Sequence, residues 1–219
     1  MVFDKELFSI VTLSLEVSLL AIALATLIGV PLGVCLGRCR FPLKSIVVSA
    51  ANTLMGLPPV VVGLVLYLIL SRRGALGFLS LLYTPAAMVL AQWLLALPIV
   101  IALSHSAVAA VDPVIAQAAR ALGASPFQIS MAVVREARYA LSSAVIAAFG
   151  RVTAEVGAVF MVGGNIAGHT RVMTTAIAME VDKGGFELAL SLGLVLITIS
   201  LAINVALHLF QRKGAQPSG

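Results

Sequence analysis

Charged residues are scarce in this chain of 219 residues, because Asp, Glu, Lys and Arg together make up only 11% of it. Soluble domains carry about 25% charged residues, so the composition excludes an ordinary soluble domain. Aromatic residues are also few, at 6%, and they do not alternate with the basic residues. Proteins that bind single-stranded nucleic acid stack bases on aromatic side chains beside a basic groove, so we expect no nucleic-acid partner.

Catalytic and cofactor-binding patterns are missing as well. The two cysteines, Cys35 and Cys39, are too few to complete a four-ligand zinc site. No Gly-Lys dipeptide precedes a Ser or Thr, so the chain lacks the phosphate-binding loop of an ATPase. We therefore expect a chain that is not an enzyme and holds no cofactor and no metal.

Long apolar stretches dominate what is present. Hydrophobic residues make up 61% of the chain, and the mean hydropathy is +1.11. A helix needs about 20 apolar residues to cross a bilayer, so we predict an all-α membrane protein with about five transmembrane helices. The predicted spans cover residues 7–37, 46–70, 85–103, 140–162 and 188–210. We expect one membrane domain over residues 1–219, with an uncleaved first span.

The distribution of Lys and Arg predicts the orientation of the chain. With the N-terminus outside, eight basic residues fall on the inner side: Arg38, Arg40, Lys44, Arg120, Arg135, Arg138, Arg212 and Lys213. Five fall on the outer side: Lys5, Arg72, Arg73, Arg171 and Lys183. Basic residues favour the cytoplasmic side, so the N-terminus is expected outside and the C-terminus in the cytoplasm.

One polar segment, residues 111–139, interrupts the spans on the predicted cytoplasmic side. Loops of this length are uncommon unless they carry function or structure of their own. Asp112, followed by Pro, is typical of a helix start, and we predict a short helix over residues 115–122. Gly123 breaks this helix, and a second one is predicted over residues 127–134. Such a helix–turn–helix can insert its small side chains into a cleft on a soluble partner.

The segment resembles the EAA loop of ABC importer permeases, whose pattern is Glu-Ala-Ala, three residues, Gly, nine residues and then Ile-x-Leu-Pro. Gln117-Ala118-Ala119 precedes Gly123 at this spacing, and Val133 stands at the Ile position. Gln117 replaces the Glu and Arg135-Glu136 replaces the Leu-Pro, so we expect the coupling interface to differ there. The resemblance implies contact with a separate ATPase through these residues: Gln117, Ala118, Ala119, Leu122, Gly123, Ala124 and Ser125.

Other motifs are similar to oxyanion importer permeases, which serve sulfate, molybdate and tungstate. Phe149-Gly150-Arg151, with Glu155 and Gly157-Ala158, resembles the fourth-span signature of that group. Residues 57–63 and 164–171 are most similar to tungstate permeases. The resemblance implies the type I ABC importer permease fold, with tungstate as the substrate and molybdate or sulfate as the alternatives.

The resemblance also implies the partners. A cytoplasmic ABC ATPase dimer drives transport, an extracytoplasmic oxyanion-binding protein delivers the substrate, and a second copy of the chain completes a homodimer. The expected location is the inner membrane of a bacterial or archaeal cell, in contact with the lipid bilayer. The residues alone leave an ATP-independent channel or secondary carrier open, but such a protein would not need the polar segment.

Ionisable residues inside spans are costly and usually face a partner or a water-filled path. Arg151 and Glu155 lie four residues apart in the fourth span, so they can pair on one helix face. The pair either fixes helix packing or links opening of the path to movement of the polar segment. Asn52, Pro58 and Pro59 lie in the second span, where the prolines kink the helix as a plain bend or as part of a gate.

Residues 163–187 connect the fourth and fifth spans on the outer side. We predict a short helix over residues 173–181 that dips toward the membrane. Four neutral donors fall in this connection: Asn165, Thr170, Thr174 and Thr175. They either guide a tetrahedral oxyanion without holding it tightly or belong to an ordered turn.

Overall fold

The computed structural model describes residues 2–39 and 41–215, and the side chains of residues 6–39 and 41–206. Within those residues the regular structure is nine α-helices and one 3₁₀ turn at Gly77–Leu79. The helices are α1 (Val2–Arg38), α2 (Lys44–Met55), α3 (Pro59–Leu70), α4 (Pro85–Ala109), α5 (Pro113–Ala121), α6 (Pro126–Thr153), α7 (Gly157–Gly163), α8 (Met173–Asp182) and α9 (Phe186–Ala215). The prediction of an all-α fold is confirmed.

Three helices, α1, α4 and α9, are each long and apolar enough to cross a membrane. Two further pairs are apolar enough only when taken together, and both are bent: α2 with α3 by 98°, and α6 with α7 by 58°. Each bent pair occupies one of the five predicted spans, so the described residues contain three to five crossings. Broken helices thus stand where hydropathy predicts the second and fourth spans.

The break between α2 and α3 follows from two consecutive prolines. Gly56 ends α2, Pro58 is extended with φ −62° and ψ 122°, and Pro59 begins α3. Proline has no amide hydrogen and its ring clashes with the preceding helical turn, so α2 cannot continue through this point. The predicted kink is therefore a change of direction by about a right angle.

The helix after Ser125 is one element and not two. Residues 127–134, predicted as a separate helix, are the first turns of α6, which continues without a break to Thr153. The predicted helix is present, but its separation from the following span is wrong, because hydropathy marks where the membrane begins, whereas the helical hydrogen bonds continue through the boundary. The polar segment consequently consists of α5, its two connections and residues 126–139 of α6.

The most extensive helix–helix contact among the described residues joins α1 to α4. Three glycines lie four residues apart on the contacting face of α1: Gly29, Gly33 and Gly37. They oppose side chains of α4 at the same spacing: Val100, Ser104 and Val108. A Cβ on Gly33 would lie 2.5 Å from Ser104 Cβ and 2.7 Å from the Ile101 carbonyl oxygen. Small residues are what allow backbones to approach this closely in a membrane.

Replacing Gly33 with Ala should destabilise the protein, because the added methyl group has no space between α1 and α4. We expect a loss of about 1–3 kcal/mol, as is typical of overpacked cores. Gly193→Ala in α9 is the matched control, since a Cβ there meets nothing within 4 Å. Thermal unfolding of the purified protein in detergent should show a lower midpoint for Gly33→Ala only. Equal midpoints would contradict the close packing.

Candidate functional site

The short helix α5 has a defined start and a defined end. The Val114 N–H donates to Asp112 Oδ1 at 2.8 Å, and Pro113 occupies the first turn, as the sequence predicts. At the other end Gly123 has φ +78°, a left-handed conformation that favours glycine. The Ala124 N–H donates to the Ala119 carbonyl at 3.0 Å, and the Gly123 N–H to that of Arg120 at 3.0 Å. These two bonds are a Schellman motif, which stops the helix.

The outer face of α5 is open to solvent. Leu122 is 88% exposed, and Gln117 and Ala118 are also exposed. A Cβ on Gly123 would meet nothing within 4 Å, so none of the described residues covers the turn. On the inner face, Ala116 packs against a cluster formed by α4 and α6. Helix α5 therefore presents small side chains and one projecting leucine to solvent, while its other face packs against α4 and α6.

A second capped turn connects α5 rigidly to α6. The Gln128 N–H donates to the Ser125 hydroxyl at 3.3 Å, and the Ser125 N–H donates to Gln128 Oε1 at 2.7 Å. This reciprocal capping box fixes the direction in which α6 leaves the turn. Because α6 then continues to Thr153, the exposed surface on α5 connects through one helix to the break before α7.

A buried carboxylate lies at that break. Glu155 is 4% exposed, and its Oε2 accepts a hydrogen bond from Arg151 Nη1 at 3.0 Å, whereas the Arg151 side chain is 41% exposed. Glu155 Oε1 accepts from the Ala158 N–H at 3.1 Å, in the first turn of α7. The predicted pair is present, although α6 ends at Thr153 and Glu155 lies beyond it. Glu155 therefore joins the end of one helix to the start of the next.

Two further side chains hold the break from α8 and α4. The Thr174 hydroxyl donates to the Glu155 carbonyl at 2.9 Å, and Gln92 Nε2 donates to the Val152 carbonyl at 3.1 Å. Gln92 is 4% exposed and its Oε1 has no hydrogen-bond partner among the described residues. We call Gln92, Arg151, Glu155 and Thr174 the polar hinge. The sequence signal for Gln92 is that it is the one amide inside the third predicted span.

The threonines of the connection after α7 are bonded within it. The Thr170 hydroxyl accepts from the Ile166 N–H at 3.0 Å and donates to the Gly163 carbonyl. The Thr175 hydroxyl donates to the Val172 carbonyl at 3.0 Å. A hydroxyl has only one hydrogen to donate, and the hydroxyls of Thr170, Thr174 and Thr175 all donate to backbone carbonyls. In this conformation the three threonines therefore stabilise the segment. The short helix predicted here is confirmed as α8.

The remaining path candidates make no hydrogen bond to the polar hinge among the described residues. Asn52 and Pro58 are exposed on the α2–α3 unit, and Pro59 is half-buried. Asn165 is buried in a left-handed conformation with φ +51°, and its Oδ1 lacks a partner among the described residues. Helix α3 packs closely against the start of α7, next to the hinge. Gly63 of α3 lies so near Ala158 that a Cβ on Gly63 would be 2.7 Å from Ala158 Cα.

Apolar spans, two of them broken, and an exposed short helix outside them indicate a multi-pass membrane protein of the transport class. Residues 29–215 match the binding-protein-dependent transport system inner membrane components, so the chain belongs to that family. It is a multi-pass inner membrane subunit without a catalytic role, and the family implies a binding protein and an ATPase as partners.

Individual relatives are similar over nearly the whole chain. The tungstate uptake system permease protein TupB of Peptoclostridium acidaminophilum is 43% identical over 96% of this chain and 92% of its own. A probable anion ABC transporter permease protein of Haloferax volcanii is 46% identical over 90% of this chain and 88% of its own. A chain of the MetNI methionine ABC transporter, in an inward-facing conformation, has a TM-score of 0.79 at 17% identity, over 98% of both chains. The predicted type I importer permease fold is confirmed.

Arg151→Ala should destabilise the fold more than Glu155→Gln. Arg151→Ala leaves the buried Glu155 carboxylate without its countercharge, which costs about 1–3 kcal/mol of stability. In Glu155→Gln the amide oxygen can still accept the hydrogen bond from the Ala158 N–H, and the side chain carries no charge. The double variant Arg151→Ala/Glu155→Gln should recover much of the loss. Thermal unfolding midpoints measure this order, and a Glu155→Gln that is less stable than Arg151→Ala would contradict it.

Proposed function

We propose that this chain is the permease subunit of an ATP-driven importer and forms the translocation path for an oxyanion, with tungstate as its substrate. The observation that carries the proposal is the likeness, over 96% of the chain, to a tungstate permease. The similarity to a probable anion permease supports the same class of substrate. Molybdate or sulfate carried by the same architecture is the competing assignment.

The exposed surface of α5 supports ATP coupling. We place this surface against a cytoplasmic ABC ATPase, with Leu122 and the small residues around Gly123 in a groove of that subunit. A homodimer supplies two such helices for the two ATPase subunits, and the second copy encloses the path. In this assembly the whole chain is one membrane domain, with the N-terminus outside and the C-terminus in the cytoplasm.

The polar hinge supports a route for the coupled movement. When ATP brings the two ATPase subunits together, α5 moves with them, and α6 carries the displacement to Glu155. Hydrogen bonds and ion pairs have discrete partners, so the break between α6 and α7 can switch between arrangements. We assign Asn52, Pro58 and Pro59 to the gate because they lie on α3 and the end of α2, beside α7. Thr170, Thr174, Thr175 and Asn165 position the segment that follows α7.

Reconstitution tests the function as a whole. The chain, its ATPase and its binding protein in proteoliposomes should accumulate tungstate only with internal ATP and with the binding protein present. If the proteoliposomes take up molybdate or sulfate faster than tungstate at equal concentration, the preferred anion replaces tungstate as the assigned substrate. Uptake without ATP would overturn the importer in favour of a channel or secondary carrier.

Glu155→Ala should abolish tungstate uptake while the protein remains in the membrane. The change removes the acceptor for both Arg151 and the start of α7, so displacement of α6 no longer reaches α7 in a defined way. Glu187→Ala, which removes an exposed carboxylate in the first turn of α9, is the matched control. Uptake assays and membrane immunoblots measure both variants, and normal uptake by Glu155→Ala would refute a coupling role for the hinge.

Gly123→Phe should uncouple ATP hydrolysis from transport, because a bulky side chain holds α5 away from its groove. Gly184→Phe is the matched control: Gly184 also has a left-handed backbone, with φ +79°, and open space around it, but it lies after α8. Backbone strain is therefore similar in both variants, and only docking differs. The Gly184→Phe variant should retain most of the tungstate uptake of the unaltered protein. An equal loss of uptake in both variants would mean that backbone strain, and not blocked docking, causes the loss.

A further inference from the structure

A pocket of about 710 Å³ lies between the end of α3 and the connection to α4. Its polar lining consists of hydrogen-bond donors: Tyr67, Ser71, Arg72, Arg73, Ser80 and Tyr83. No Asp or Glu is among the described residues that line it. The two arginines lie on the predicted outer side, where the orientation rule disfavours them, so their presence there needs an explanation.

The connection that carries the arginines has a fixed shape. The Leu76 N–H donates to the Ile69 carbonyl at 2.9 Å, and the Gly74 N–H donates to the Ser71 carbonyl at 2.7 Å. A Cβ on Gly74 or Gly77 would collide with backbone carbonyl oxygens of α3 and its end, so glycine is required at both positions. The loop folds back on the last turn of α3 and holds Arg72 and Arg73 at the rim of the pocket.

Tyr83 forms the opposite wall in a conformation that aromatic residues rarely adopt. Its φ is +63°, and its N–H donates to the Val162 carbonyl at 2.8 Å. Its ring lies over Gly164, where a Cβ would come within 2.7 Å of the ring, and meets Tyr67 edge to face at 6.4 Å between centroids. Backbone strain of this kind persists only where surrounding contacts enforce it, and it concentrates at functional sites.

The two arginines are available for a ligand, whereas the Ser71 hydroxyl already donates to the Leu68 carbonyl at 3.0 Å. Arg72 and Arg73 are exposed and make no ion pair or side-chain hydrogen bond with any described residue. The neighbouring Tyr67 hydroxyl, together with partial burial, raises the pKa of Tyr83. Two planar guanidinium groups beside neutral hydroxyls suit a tetrahedral dianion, which guanidinium binds through paired hydrogen bonds.

We propose that this pocket is an outer binding site for a tetrahedral oxyanion, where the substrate is held between its release from the binding protein and its passage into the path. The identity of the anion rests on the proposed function. The site lies beside the end of α7, because Tyr83 contacts Val162 and Gly164. Exposed arginines favour a weak site, which suits a transporter because the anion must leave again.

Titration of the purified full-length chain in lipid nanodiscs, with sodium tungstate as the probe, tests the site. Arg72→Gln/Arg73→Gln should weaken binding at least about tenfold, since both charge-assisted contacts are removed. Lys183→Gln is the matched control, because it removes a cation from the same predicted face at a residue that pairs with Glu180 at 3.2 Å. It should bind tungstate like the unaltered chain. Tyr83→Phe keeps the ring and should weaken binding by a smaller factor.

Three results would overturn the proposal: no tungstate binding by the unaltered chain, equal affinity after Arg72→Gln/Arg73→Gln, or an equal loss in Lys183→Gln. A variant that binds tungstate normally but no longer associates with the binding protein would also overturn it, by making the arginines a docking surface. Uptake in proteoliposomes distinguishes failure of the pocket proposal from failure of the proposed importer function. Tungstate uptake without binding at the pocket leaves the importer intact, whereas absence of any oxyanion uptake contradicts the importer itself.

Discussion

The close approach of α1 to α4 is the constraint on which the rest of the structure depends. Glycines at four-residue spacing remove side chains from one face of α1, and α4 fills that space with a buried face of the same spacing. Every fourth residue of α4 from 88 to 108 is buried, a row that winds from the α1 contact to the neighbouring helices: residues 88, 92, 96, 100, 104 and 108. Two of them reach beyond α1: Met88 lies against Gly163 of α7, and Gln92 holds the end of α6. The α1–α4 pair is therefore the frame against which the broken spans are positioned.

The broken spans carry the polar chemistry because a break leaves backbone groups that need partners. A buried carboxylate is costly in a membrane unless it is paired, and Glu155 is paired with Arg151 and bonded to the first turn of α7. The same residue accepts from Thr174 through its backbone carbonyl, so α6, α7 and α8 meet at one position. Because α6 has no interruption between Ser125 and Thr153, this position is mechanically connected to the exposed turn at Gly123.

Much of the local structure could be predicted from the sequence, since caps and pairs depend on near neighbours. Asp112, Gly123 and the Arg151–Glu155 pair are of this kind. The length of α6 could not be predicted, because the charged residues within 135–138 report exposure to water and not the end of a helix. Likewise the two prolines predict a kink but not its 98°, which depends on what α3 packs against. The left-handed Tyr83 has no local signal, because contacts from α7 enforce it.

The central claim is that displacement of α5 is passed by α6 through the polar hinge to α7. Pulsed electron paramagnetic resonance on the proposed homodimeric complex with its ATPase tests it most directly, with one spin label per copy at Val114→Cys in α5, outside the proposed docking residues, or at Phe160→Cys in α7, both exposed positions. Cys35 and Cys39, the only native cysteines, are first replaced by serine. We expect that binding of a non-hydrolysable ATP analogue changes the distance between copies at both positions. A change at Val114 with no change at Phe160 would contradict transmission through the hinge.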